Sequence, residues 1–233
     1  MNGEVITVDD VPGEFVERVV EAFLHRPGDG FSLVLSGGAT ARRCYERLAS
    51  DGGDQIDWWQ VDVYWGDERC VPPDDERANV RLVREALASA SHPPVVHPVA
   101  TDLPPREAAA AYDESLAGVS LDLAFQGLGP DGHTASLFPD APSLDELEQR
   151  AIAAAAVLAP WVDRVTMTVP MLCSADEVVF LAVGEDKADA VRRAFAEPPS
   201  PATPASLVRS LAGRTVAILD PPAARELSFV SIR

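Results

Sequence analysis

The sequence predicts an α/β protein built on a doubly wound, mostly parallel sheet with helices on both faces. Three observations carry that prediction. Apolar stretches that read as strands alternate with helical stretches nearly throughout. Several of the strands, at 31–35, 121–125 and 177–183, are continuous apolar runs rather than alternating ones, as expected of strands buried on both faces. No internal repeat and no long linker divides the 233 residues, so a single domain over 1–233 is expected.

Taken in order, residues 4–8 read as a first strand. Asp9 or Asp10 is placed to cap the next helix, with Pro12 in its first turn and Val11, Phe15, Val19, Ala22 and Phe23 on its apolar face. The strand at 31–35 runs into Ser36-Gly37-Gly38-Ala39-Thr40 and a helix over 41–50. Strand, glycine turn and helix N-terminus form an anion-binding arrangement, because free N–H groups and the positive dipole end face the ligand. The alternative is that Ser36 and Thr40 merely cap the helix. A strand at 61–65 ends in Gly66-Asp67-Glu68-Arg69, which taken alone reads as a solvated turn more readily than as a site. A helix over 79–90 follows, with Asn79 as its candidate N-cap.

Residues 91–98 are a proline-punctuated connection with room for a short edge strand. His92 and His97 within it have no Cys or acidic partner beside them and are not read as metal ligands. A helix at 105–117 leads to the strand at 121–125 and its glycine loop. Residues 144–150 are polar and helical in pattern. Further strands are expected at 151–156 and 164–169, a helical turn at 170–174, a strand at 177–183, a helix at 188–196, a short helix at 205–211 and a last strand at 215–219.

The stretch 126–140, QGLGPDGHTASLFPD, concentrates the chemistry. Gly127, Gly129 and Gly132 permit positive φ and close approach of backbone to a ligand. Asp131 and His133 are thereby delivered to the end of a strand, where open α/β sheets bind ligands. The spacing formally matches a dinucleotide fingerprint. Pro130 removes a backbone donor from that loop, however, and no acidic residue closes a second strand about twenty residues on.

Composition narrows the classes further. At 47% hydrophobic and 24% charged the chain is ordinary for a globular protein. A net charge of −18 repels polyanions, so no nucleic-acid partner is expected, while a small phosphorylated substrate remains compatible through helix N-termini and local cations. No leader and no apolar run of bilayer length is read, so no membrane association and a cytoplasmic location are expected. Cys44, Cys70 and Cys173 are odd in number and widely spaced, which excludes a disulfide framework and a cysteine zinc site. Lys187 is the only lysine in an arginine-biased chain.

The motifs SGGAT, WWQVDVYWGDERCVPPDDERAN, GLGPDGHTASLFP and RVTMTVPMLCSADEVVFLAVGEDKADAV resemble the 6-phosphogluconolactonases, in order and over nearly the whole chain. Ala41, where proline is common, and Val80, where an aromatic is common, are departures outside the expected chemistry. The resemblance implies a glucosamine-6-phosphate deaminase-like fold and hydrolysis of 6-phospho-D-glucono-1,5-lactone without metal or cofactor. His133 is then the general base, Asp131 its orienting neighbour and Arg69 the cation for the developing oxyanion. Ser36, Gly37, Gly38, Thr40, Asp67, Gly129, Arg164 and Lys187 are the expected substrate- and phosphate-binding residues. The small-molecule lactone is the expected partner of a monomer or small homo-oligomer.

Two alternatives belong to other classes: an amino-sugar-phosphate deaminase or isomerase, and a sugar-phosphate sensor. The deaminases continue DGH toward Asn-Glu-Pro and read D-E-Y where this chain has Asp67-Glu68-Arg69. Here Thr134-Ala135-Ser136-Leu137 supplies no carboxylate beside His133 for shuttling a carbon-bound proton. A sensor requires a DNA-binding segment, and none is read in this acidic chain.

Overall fold

The computed structural model describes residues 3–87, 93–157, 159 and 161–227. Among the described residues the elements run β1 (Glu4–Thr7), α1 (Val11–His25), β2 (Phe31–Leu35), α2 (Ala39–Arg47), β3 (Val61–Trp65), β4 (Asp67–Arg69), α3 (Asn79–Ala86), β5 (Val95–Val96), α4 (Pro105–Ser115) and β6 (Leu123–Gly127). They continue with β7 (Ala151–Ala154), β8 (Arg164–Met167), α5 (Val169–Cys173), β9 (Glu177–Ala182), α6 (Ala188–Phe195), β10 (Arg214–Leu219) and α7 (Pro221–Ala224).

Seven strands form a sheet in the order β1-β10-β9-β6-β2-β3-β5, with every neighbouring pair parallel. The continuous apolar strands explain themselves here, since alternate residues feed two separate cores. Leu33, Leu35, Phe125, Val179 and Ile218 pack with Phe15 and Val19 of α1, Cys44 and Tyr45 of α2 and Val83 of α3. Val34, Ala124, Val178, Phe180 and Ala217 pack with Tyr112 of α4, Leu172 of α5 and Val191 and Phe195 of α6. The first helix, α1, starts where predicted: Asp10 is the N-cap and accepts from the Gly13 N–H at 3.1 Å.

The strand order reverses between β2 and β6. The chain leaving β2 proceeds to β3 on one side, whereas the chain leaving β6 goes on to β9 on the other. Their connections diverge and leave a crevice at the carboxyl ends of both strands, the standard ligand position in such sheets. Two tyrosine hydroxyls, one from each helical layer, fix the backbone at this rim. Tyr45 Oη accepts from Ser36 N–H at 3.0 Å and donates to Ser36 C=O at 2.8 Å. Tyr112 Oη accepts from Trp65 N–H at 2.8 Å and donates to Trp65 C=O at 3.0 Å.

Several expectations need correction. Asp67-Glu68-Arg69 is no solvated turn. It is β4, the edge of a second, three-stranded antiparallel sheet in the order β4-β8-β7, with Asp67 and Glu68 5% and 1% exposed. Asn79 does not cap α3, whose N-cap is Ala78. Residues 144–150 are not helical: a 3-10 turn at Pro142–Asp145 stops where the Glu146 carboxylate accepts from the N–H groups of Glu148 and Gln149. The helix expected at 205–211 shrinks to a 3-10 turn, Pro204–Ser206, because the Ser206 and Ser210 hydroxyls bond backbone groups. His92 and the end of the helix expected at 79–90 lie outside the described residues. His97 stacks on Tyr64 and pairs with the Asp62 carboxylate at 2.6 Å, an acidic partner that lies far off in the sequence and was not expected beside it.

Tyr112→Phe leaves the Trp65 N–H and C=O unpaired in the interior, so unfolding free energy is expected to fall by about 1–3 kcal/mol. Tyr45→Phe is expected to do the same through Ser36. Denaturant titration reads both, and unshifted midpoints would show that these hydroxyls contribute nothing.

Candidate active site

The wall of the crevice contributed by β2 is almost bare backbone. Ser36 Oγ donates to the Phe125 carbonyl at 2.8 Å, which ties the end of β2 to β6 and occupies that hydroxyl's proton. Gly37 is required by proximity, since a Cβ there would sit 2.0 Å from Asn79 Oδ1. Gly38, with φ of +116°, is the N-cap of α2 and offers no side-chain cap. Ser36 and Thr40 therefore do not cap α2, and the first N–H groups of the helix stay available to an anion.

The β6 loop presents the histidine. Gly129 N–H donates to the His133 carbonyl at 2.9 Å, and Gly132, with φ of +96°, returns its N–H to the Gly129 carbonyl at 2.9 Å. In this tight ring the imidazole lies against Gly129 itself: a Cβ there would stand 2.1 Å from His133 Nδ1 and 2.5 Å from Asp131 Oδ1. Asp131 Oδ1 meets His133 Nδ1 at 2.6 Å and accepts from the His133 backbone N–H at 3.2 Å. Burial works to raise the Asp131 pKa, but the His133 charge and these hydrogen bonds outweigh it and hold the carboxyl below its ordinary value. An ionised carboxylate on Nδ1 selects the Nδ1–H tautomer and leaves the lone pair on Nε2.

The opposite wall is β4 with β8. Arg69 and Arg164 are directly paired across the ladder, a repulsive juxtaposition that needs negative charge nearby. Asp67 supplies it: burial lowers the Arg164 pKa, the Asp67 charge counters that, and Arg69 adds to the lowering. Asp67 is itself held by Ser136 Oγ at 2.6 Å and by Asn79 Nδ2, which donates to its carbonyl at 2.8 Å. Arg69 donates from Nη1 to the Arg77 carbonyl at 2.6 Å, and its Nε is buried without a hydrogen-bond partner. Glu68 points away from the crevice and accepts from the N–H groups of Arg69, Asn79 and Val80 at 2.6–2.8 Å, closing the start of α3. Burial dominates those bonds and raises its carboxyl pKa to about 7.

A cavity of about 210 Å³ gathers Ser36, Gly37, Gly38, Asp67, Arg69, Gly129, His133, Arg164 and Lys187. A second cavity, of about 340 Å³, shares Ser36, Gly37, Gly38 and Lys187 with it and adds Thr40 and Arg43 beside the start of α2. Asp131 lines neither and stands behind the imidazole. Three cations against one carboxylate thus line the first cavity of a chain whose net charge is −18. Sequence reasoning gave Asn79 only a capping role and assigned no role to Ser136 or Arg43. The Asn79 pattern resembled a helix cap, and Ser136 and Arg43 carry no local signal. Among the described residues no cluster of three or more His, Cys, Asp or Glu could hold a metal, and no helix is long and apolar enough to cross a membrane.

Fold and site together define an α/β protein with a histidine–carboxylate pair facing cations at a topological switch point. Residues 8–217 match the family model described as glucosamine-6-phosphate isomerases/6-phosphogluconolactonase, and the chain belongs to that family. It is 36% identical over 230 residues to a 6-phosphogluconolactonase from Streptomyces coelicolor, covering 91% of this chain and 87% of that protein. It is likewise 36% identical over 211 residues to the Homo sapiens 6-phosphogluconolactonase, covering 85% and 81%. The crystal structure of 6-phosphogluconolactonase from Thermotoga maritima superposes with a TM-score of 0.83 at 30% identity, covering 93% of this chain and 99% of that one.

Gly129→Ala is expected to push the imidazole off the loop and break the Asp131–His133 bond, since the new methyl occupies the ring's position. The His133 ring signals in 1H–13C spectra would shift while the fold persists. Unmoved signals would show that the ring does not depend on this bare backbone.

Proposed function

We propose that this chain is a 6-phosphogluconolactonase, hydrolysing 6-phospho-D-glucono-1,5-lactone to 6-phospho-D-gluconate, the second step of the oxidative pentose phosphate pathway. Family membership supports the reaction. The observation that carries the residue assignment is the lone pair of His133 Nε2, free because Asp131 holds Nδ1 at 2.6 Å, in a cavity also lined by Arg69, Arg164 and Lys187.

In this reading His133 Nε2 takes a proton from water, and the resulting hydroxide forms a bond to the lactone carbonyl carbon. The electron pair of the C=O moves to its oxygen, and Arg69 stabilises that developing charge. When the intermediate collapses, the bond to the ring oxygen breaks. The His133 imidazolium returns its proton to that oxygen, giving the hydroxyl of the open acid. Asp131 keeps the ring in one tautomer and offsets the imidazolium charge. No carbon–hydrogen bond breaks, which agrees with the lack of a carboxylate next to His133 in the sequence 134–137.

The phosphate is assigned to the neighbouring cavity. There the Gly38 turn, the open N–H groups at the start of α2, Thr40, Arg43 and Lys187 converge. Lys187 Nζ is 3.5 Å from Asp186 Oδ2, a loose pairing that leaves donors for an anion. Asp67 and Arg164 shape the lactone side of the crevice. The Ser36 hydroxyl is committed to the Phe125 carbonyl and serves the wall rather than the ligand.

His133→Ala is expected to lower kcat by roughly 10²–10⁴, the usual contribution of a general base, with the fold intact. The measurement needs freshly generated lactone with spontaneous opening subtracted; parent-level turnover would remove the base. Lys187→Ala is expected to raise KM for the phosphorylated lactone about tenfold, while hydrolysis of unphosphorylated gluconolactone changes little. Equal losses on both substrates would reassign Lys187 away from the phosphate.

A further inference from the structure

We propose that Arg193, on α6, is a positioning residue that locks the His133 loop from behind; the inference rests on His133 being the base. All three nitrogens of its guanidinium donate, and both Nη atoms reach the glycine loop. Nη1 donates to the Asp131 carbonyl at 3.2 Å and to Thr203 Oγ1 at 2.7 Å, and Nη2 donates to the Pro130 carbonyl at 3.2 Å. Nε donates to Asp189 Oδ2 at 2.8 Å, one turn earlier on α6, which fixes the angle at which the fork is presented. Two consecutive carbonyls of the glycine loop are thus read by one planar group, geometry that an arginine supplies and a lysine does not.

The bonds of Gly129 N–H to His133 and of Gly132 N–H to Gly129 lie within the loop and do not anchor it to the helical layer behind. Gly129 and Gly132 favour mobility, Pro130 contributes no N–H, and Gly129 cannot gain a side chain without striking His133. The fit is close on the arginine side too. A Cβ on Gly132 would lie 2.9 Å from Arg193 Nη1 and 3.0 Å from Thr203 Cγ2. Ala205 N–H completes the backing by donating to the Gly132 carbonyl at 3.0 Å. Arg193 lines neither cavity, so its effect passes through Asp131 and His133 rather than through the substrate.

The assignment separates turnover from binding. Arg193→Ala is expected to lower kcat roughly tenfold to a hundredfold, the scale of a misplaced catalytic group, while KM changes less than about threefold. The His133 imidazole signals in 1H–13C spectra are expected to move. Arg193→Lys should recover part of kcat. Arg214→Ala, which removes an exposed guanidinium bonded to Glu4 at the opposite, amino end of the sheet, should leave kcat at the parent value. A kcat for Arg193→Ala within about twofold of the parent overturns the proposal, as does a fall in kcat with the His133 signals unmoved. If the alanine variant does not fold, the same two readouts on Arg193→Lys decide, with parent-level kcat and unshifted His133 signals counting against the clamp. His133→Ala measured alongside keeps the two ideas apart. Its retained activity removes the base itself, whereas an inactive His133→Ala beside a fully active Arg193→Ala removes only the clamp.

Discussion

The site rests on an imidazole whose edge is pressed against a residue without a side chain. His133 Nδ1 occupies the space where a Gly129 Cβ would be, 2.1 Å away, and from that position alone does its ring meet Asp131 at 2.6 Å. Remove the bare backbone and the tautomer, the direction of the free lone pair and the spacing to the opposite wall all change together. Gly129 is therefore a steric requirement imposed by the histidine, and Gly132 one imposed by Arg193 and Thr203, with flexibility as a cost that other contacts must offset.

Those contacts come from every side of the crevice. Tyr45 pins Ser36 and Tyr112 pins Trp65, so the ends of β2 and β3 cannot drift. Asn79 bonds Asp67 and abuts Gly37, joining the β4 wall to the β2 wall. Ser136, three residues beyond His133, bonds the Asp67 carboxylate and so ties the histidine's own loop to the arginine wall. An acidic protein thereby keeps a basic interior to its crevice: Asp67 and Glu68 are turned into structural roles, while Arg69, Arg164 and Lys187 line the space.

Much of this was legible in the sequence, and the pattern of failures has physical causes. The continuous runs at 31–35 and 177–183 announced two-faced strands, and the glycine spacing around His133 and Asp131 announced a built loop. Asp67-Glu68-Arg69 misled because charged residues after a strand are ordinarily solvated. Their burial depends on pairing with Arg164, Val165 and Thr166, about a hundred residues later, which no local window contains. Asn79 looked like a cap because it precedes an amphipathic helix, yet a glutamate eleven residues upstream took that task. Arg193 was invisible: an arginine on a helix in an arginine-rich chain carries no mark of what its far end touches.

The sheet's outer margin has a consequence of its own. β5 is two residues long, aligns Val95 and Val96 with Asp62 and Val63 of β3, and leaves both side chains about half uncovered beside the 3-10 turn Trp58–Gln60, which carries the exposed Trp59. So oily a border would ordinarily invite another chain to extend the sheet. Its brevity denies an incoming strand a run of hydrogen bonds, one of the ways by which an open sheet margin is kept from pairing with other chains.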